Sequence, residues 1–179
     1  MLRLGFIDFY LNEWHANHYP DWLRQQAAGR SIELELGYAW AETEKDMTTQ
    51  AWCQRYGMRA METPSALIDA CDGILVLSPD HPQHHERLGR LALMSGKPVY
   101  MDKTFAPGLE AGRRMFDLAA AHGTPLFSSS ALRFSRELEP YRQGAAEAAS
   151  FCAVTGPGVY DNYSVHQLEM INTIMGCGA

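Results

Sequence analysis

The chain has no run of basic residues, no Cys-x-x-Cys pair and no apolar stretch long enough to cross a bilayer. Fifteen Lys and Arg stand against 21 Asp and Glu, for a formal net charge of −6, and the basic residues are scattered. That charge leaves no footprint for a phosphate backbone or an anionic lipid surface, so neither nucleic acid nor membrane is expected as a partner. Cys53, Cys71, Cys152 and Cys177 lie far apart, which argues against a zinc knuckle or a disulfide framework and for reduced, mostly buried thiols. The opening residues Met1 to Asp8 lack a secretory apolar region, and a cytoplasmic protein is expected. Low-complexity tracts and internal repeats are absent too. What is present is globular: 46% hydrophobic and 20% charged residues in 179, enough for one full-sized domain or one domain and part of another.

Apolar runs and helix punctuation alternate along the chain. Residues 2–9 read as a strand and 20–29 as a helix, with Pro20 at its start and Gly29 at its end. Residues 31–41 alternate with period two, as a strand does, and 46–56 form the next helix, closed by Gly57. A short helix at 65–70 precedes 73–77, which is apolar throughout, the pattern of a strand buried on both faces. Helix 82–94, strand 98–101, helix 107–121 and strand 125–127 complete the alternation. This order predicts an α/β fold, a doubly wound, Rossmann-like parallel sheet over residues 1–134. Residues 135–179 differ in texture: a helix capped by Ser135, a small-residue helix at 143–149, a strand at 151–155 and a helix at 164–175. They read as the start of a truncated α+β domain.

In a doubly wound sheet, ligands sit beyond the carboxyl ends of the strands. Ser78-Pro79-Asp80, with His84 or His85, follows the strand at 73–77, Asp102-Lys103-Thr104 that at 98–101, and Ser128 to Phe134 that at 125–127, while the last helix carries His166-Gln167-Leu168-Glu169. These segments, in this order and over essentially the whole chain, resemble the Gfo/Idh/MocA oxidoreductases. That family has T-P-N-x-x-H after its fourth strand, E-K-P after its fifth and D-x-G-x-H-x-x-D at the opening of its substrate domain. The resemblance implies hydride transfer between NAD or NADP and a sugar, cyclitol or similar polyol. It implies Lys103 between nicotinamide and substrate hydroxyl, and His166 exchanging the hydroxyl proton. An alcohol oxidation needs such a base and a charge to hold the developing oxyanion. The cofactor would contact Phe9, Tyr10, Glu42, Ser78, Pro79, His85 and Lys103, and the substrate Arg133, Asp161, Asn162 and His166.

The chain departs from the family at three points. Asp8, Tyr10 and Glu13 occupy the positions of the three phosphate-loop glycines. A carboxylate about 4 Å from a phosphate costs roughly 4 kcal/mol at an effective dielectric near 20, unless the loop over residues 12–19 swings aside or a cation intervenes. The aspartate before the family's histidine falls at Asn162, with Asp161 one position early. Family members are also about twice as long.

Each candidate also has a plainer reading. Lys103 reads equally as a solvated head on an apolar stem, His166 as a helix-surface histidine, and Arg133 as a helix-entry ion pair. Glu42, just past the second strand, is placed to accept the ribose hydroxyls of NAD, or is an acid near a helix start. His81, His84 and His85 lack carboxylate or cysteine companions, and no metal is expected there. Asp8, Glu13, His15 and His18 form a second polar cluster, suited to a divalent cation or a cationic ligand. Two functional classes remain: an NAD(P)-dependent oxidoreductase, and a non-catalytic binding or regulatory module that has lost dinucleotide affinity. A third reading is a non-functional fragment, whose uncovered second-domain surface would make it aggregate or pair with another chain, a homo-oligomer among the outcomes.

Overall fold

Residues 73–76 are buried without exception, and their side chains divide between two cores. In the computed structural model, which describes residues 1–144 and 149–176, Ile74 and Val76 pack with Ile7, Leu93, Val99 and Met101. Leu75 and Leu77 pack instead with Phe6, Leu36 and Trp52. A strand whose alternate residues enter two cores must be apolar at every position, which is why it carries no period-two pattern.

Six strands form one parallel sheet: β1 (Leu2–Asp8), β2 (Leu34–Ala41), β3 (Arg59–Ala60), β4 (Gly73–Val76), β5 (Val99–Met101) and β6 (Leu126–Phe127). Their order is β3-β2-β1-β4-β5-β6, with Ile7 opposite Trp40 on one side and Val76 on the other. The chain winds outward from β1 to β3, then returns to lay β4 beside β1, so the topological switch point lies between those two carboxyl ends. The doubly wound sheet expected from the sequence is thus observed.

The connections are α1 (Trp14–Gly29), α2 (Thr49–Tyr56), α3 (Pro64–Ala70), α4 (His85–Leu93) and α5 (Leu109–Ala121). Thr48 and Thr63 cap α2 and α3 through their hydroxyls, and Gly57 ends α2 with a left-handed φ of 66°. Gly5 admits α3 against β1, because a Cβ there would lie 2.6 Å from Cys71 Sγ and 2.7 Å from Leu67 Cδ2. Burial pushes the Cys53 and Cys71 thiols up to about 11, which keeps them protonated.

The chain divides into two compact units, Met1–Ser128 and Ser129–Ala179. The second holds turns at Ala131–Phe134 and Arg136–Leu138, α6 (Glu139–Arg142) and α7 (Tyr160–Met175).

Four local expectations are corrected. Helix α1 begins at Trp14 rather than Pro20, because Glu13 caps it, and Pro20 is buried inside it with the loss of one backbone N–H. Residues 12–19 are therefore not a loop free to swing aside. Ser135 makes no side-chain cap; the cap hydroxyl is that of Ser130, which accepts from the Leu132 N–H. Residues 151–155 form no strand, and none of the described residues pairs with them. Last, α7 starts four residues before Ser164. The helix expected at 143–149 falls largely on residues outside those described.

Candidate functional site at the carboxyl edge of the sheet

Among the described residues, three buried side-chain polar atoms have no hydrogen-bond partner: Asp8 Oδ2, Ser78 Oγ and Thr104 Oγ1. They belong to the last residue of β1 and to the segments just past β4 and β5, the three central strands. Natural interiors pair nearly all such atoms, so three orphans along one edge mark a surface built to meet something. Asp8 and Ser78 line a narrow cleft with Tyr10, Glu13, Pro79, Asp80 and His81. Ser78 holds a left-handed φ of 84°, a strained backbone of the kind found at ligand sites. A larger hollow of about 440 Å³, between α1 and the sheet, is lined mostly by apolar side chains such as Leu4, Trp22 and Leu75.

The three glycine-position residues have distinct environments. Asp8 is 1% exposed, and its Oδ1 accepts from the Phe9 N–H at 2.6 Å. Burial first, then the neighbouring Glu13, pushes its carboxyl well above the ordinary carboxylate range. Tyr10 reaches His81, with its hydroxyl 3.3 Å from Nε2, and Lys45 lies 4.7 Å from its ring centre. Glu13 turns its carboxylate onto the start of α1, where it accepts from the His15 N–H at 2.6 Å and from the Ala16 N–H. Burial raises it to about 7, against the pull of those two donors.

Asp102, fully buried after β5, is the hub of this region. Its Oδ2 accepts from His15 Nδ1, and its Oδ1 accepts from the Tyr100 hydroxyl at 3.1 Å and the Lys103 N–H at 2.9 Å. Tyr19 stacks on the His15 ring, 5.3 Å away and 8° from parallel. Burial, then Asp102, raises both Tyr19 and Tyr100, so neither ionises at neutral pH. The sequence reading placed Asp102 beside Lys103 and His15 beside Glu13, but nothing in either spacing joins His15 to Asp102. Only the adjacency of β1 and β4, with β5 next to them, does so.

The remaining sequence candidates separate. Phe9 packs on the His84 ring at 4.3 Å. Glu42 is ion-paired to Arg87 of α4, and its backbone N–H donates to the Asp8 carbonyl at 3.1 Å. His85 is fully buried, with Nδ1 3.0 Å from the Phe105 carbonyl and Nε2 3.1 Å from the Ser78 carbonyl, so it holds the loop after β4 in place. Pro79 lines the cleft, and Lys103 is partly exposed beside Asp102.

In the second unit, His166 Nδ1 lies 2.6 Å from Ser130 Oγ. Glu169 accepts from the Ser130 N–H at 3.2 Å and from Arg133 Nη1 at 2.8 Å. Asp161 and Asn162 open α7, Asp161 exposed and Asn162 partly so. Among the described residues, no group of three or more His, Cys, Asp or Glu is arranged to hold a metal ion, and no helix is long and apolar enough to cross a membrane.

Residues 15–130 match the model of an oxidoreductase family with an NAD-binding Rossmann fold. No curated protein matches the chain. Among solved structures, one similar chain is GenD2 from gentamicin A biosynthesis, in complex with NAD, with TM-score 0.73 and 14% identity over 98% of this chain and 54% of that one. A probable dehydrogenase from Thermotoga maritima gives TM-score 0.73 and 18% identity over 98% and 55%. The WlbA dehydrogenase from Bordetella pertussis, in complex with NADH and UDP-GlcNAcA, gives TM-score 0.65 and 18% identity over 80% and 40%. The chain thus spans about half or less of the length of these structures.

Proposed function

Because the chain belongs to the Gfo/Idh/MocA oxidoreductase family, whose Rossmann domain binds NAD, we propose that it serves an NAD-dependent oxidation or reduction of a sugar-like alcohol. The observation that carries this reading is the row of orphaned atoms, Asp8 Oδ2, Ser78 Oγ and Thr104 Oγ1, along the switch-point edge. A ligand rich in hydroxyl and phosphate oxygens satisfies such a row, and a carboxyl pushed well above its ordinary range by burial opposes them less than an ordinary carboxylate does. The edge therefore fits a dinucleotide, except at the start of α1, where Glu13 already holds the helix amides.

When bound, the nicotinamide supplies the hydride chemistry. The chain's own part begins at Lys103, whose ammonium stabilises negative charge on the substrate oxygen, with its backbone held by Asp102. His166, in contact with Ser130, takes up and returns the hydroxyl proton. Glu42 accepts the ribose hydroxyls from the end of β2, with Arg87 orienting its carboxylate. Arg133, Asp161 and Asn162 are assigned to the substrate, and Phe9, Tyr10, Pro79 and His85 to the cofactor side. The UDP-GlcNAcA bound with NADH in WlbA supports a saccharide-like substrate, and the NAD bound in GenD2 supports the cofactor.

The test is a titration with NADH and NADPH followed through tryptophan emission, with Trp14 adjoining Glu13, and then a screen of polyols for hydride transfer. The expected result is saturable NADH binding, weaker NADPH binding, and turnover that Lys103→Ala reduces at least a hundredfold while NADH affinity stays within a factor of about two. Unchanged turnover in Lys103→Ala would refute the role of Lys103. The placement of Glu13 on the α1 amides favours a second reading, a binding module without hydride transfer. A folded chain that does not bind NADH would select it.

A further inference from the structure

We propose that Glu13 is the residue setting this chain's discrimination against phosphate-bearing ligands: its carboxylate takes the place of a ligand pyrophosphate on the His15 and Ala16 amides, and a dinucleotide must displace it. The start of a helix offers a few unpaired N–H groups and the positive end of the helix dipole, a seat for one anionic group. In this chain the seat is filled from within, because Glu13 Oε2 and Oε1 each accept one of those amides. Independent of that cap, Asp8 Oδ2 and Ser78 Oγ line the same cleft at 1% and 2% exposure without a partner. The polar groups that face a ligand are thus open, while the groups that would hold its phosphate are taken.

Of the three residues at glycine positions, only Glu13 acts in this way. Asp8 engages the amide of Phe9 and Tyr10 engages His81, and neither touches the amides of α1. A tethered carboxylate competes at high effective concentration, and once displaced it stays within a few ångströms of the incoming phosphate. Both effects weaken a phosphate ligand and leave a phosphate-free one unaffected. The proposal rests on the reading that the switch-point edge receives a dinucleotide.

Two variants of the full chain test it. Glu13→Ser keeps a capping hydroxyl on a shorter, neutral stem, and Glu13→Gln keeps the length without the charge. Each is titrated with NADH and, as a phosphate-free control, with adenosine, following tryptophan emission and checking the fold by circular dichroism. NADH should bind Glu13→Ser at least about tenfold tighter than wild type, and Glu13→Gln by an intermediate factor, while adenosine changes by less than about twofold. Wild type that binds NADH saturably, with neither variant tighter, overturns the role of Glu13 and leaves cofactor use standing. An equal gain for adenosine also overturns it. If none of the three folded proteins binds NADH, both the inference and the cofactor reading fall. Should the Ser variant not fold, Glu13→Gln decides by the same criterion.

Discussion

The two polar clusters of this chain use similar side chains in opposite ways. In the first unit, Asp102 accepts from the His15 ring and Glu13 from the backbone N–H of that histidine, with Asp8 a near neighbour of Glu13. In the second, Glu169 shares its carboxylate between Arg133 and the Ser130 amide, and Ser130 contacts His166. Burial raises the Asp8 and Glu13 carboxyls, leaves Asp8 Oδ2 orphaned and makes the region respond to protons. A carboxylate with a cation and an amide is already satisfied. The first cluster therefore leaves a polar atom open to a ligand, whereas in the second the Glu169 carboxylate is already satisfied within its own unit.

The sharpest way to break this contrast is at Asp102. Replacement by alanine leaves His15 Nδ1, the Tyr100 hydroxyl and the Lys103 N–H without their shared acceptor in a fully buried place. A loss of about 3–5 kcal/mol is expected, read as a lower urea midpoint at unchanged slope. Asp102→Asn keeps one acceptor and should cost less. A loss below about 1 kcal/mol in the alanine variant would show that the hub does not hold the region.

Next in size is a pH dependence confined to the first cluster. Glu13 is raised from 4.5 to about 7 in the folded chain, so between those values the folded state keeps a proton that the unfolded state has released. Stability is therefore fullest below about pH 4.5 and falls as pH rises towards 7, by up to about 3 kcal/mol, then levels off. Asp8, also raised, acts in the same direction. Denaturant titrations from pH 4 to 8, comparing wild type with Glu13→Gln, isolate this share. Parallel curves would refute the shift.

How much of this was legible in the sequence depends on whether a feature is local. The continuous apolar run at 73–76 needs both sheet faces covered, so the doubly wound fold followed from it and from the alternation of elements. The place of Lys103 followed from the apolar strand before it. The start of α1 did not, because Pro20 is a strong start signal and the glutamate cap seven residues earlier works through backbone donors that no pattern displays. Residues 151–155 have strand composition, yet a strand exists only with a neighbour, and the described residues provide none. The His15–Asp102 contact spans 87 positions and arises from sheet order alone.

The second cluster supplies the smallest and most discriminating test. Glu169→Ala removes an acceptor from Arg133 and from the Ser130 N–H, but the Arg133 side chain is 36% exposed and water replaces much of what it loses. The expected loss is about 1–2 kcal/mol, with no change in the pH profile between 4.5 and 7. Glu169→Gln, which keeps one acceptor oxygen without the charge, should recover part of it. If Glu169→Ala instead reshaped that pH profile, the proton-sensitive behaviour would not belong to the first cluster alone, and the division between a cluster awaiting a ligand and one satisfied by its own arginine would fail.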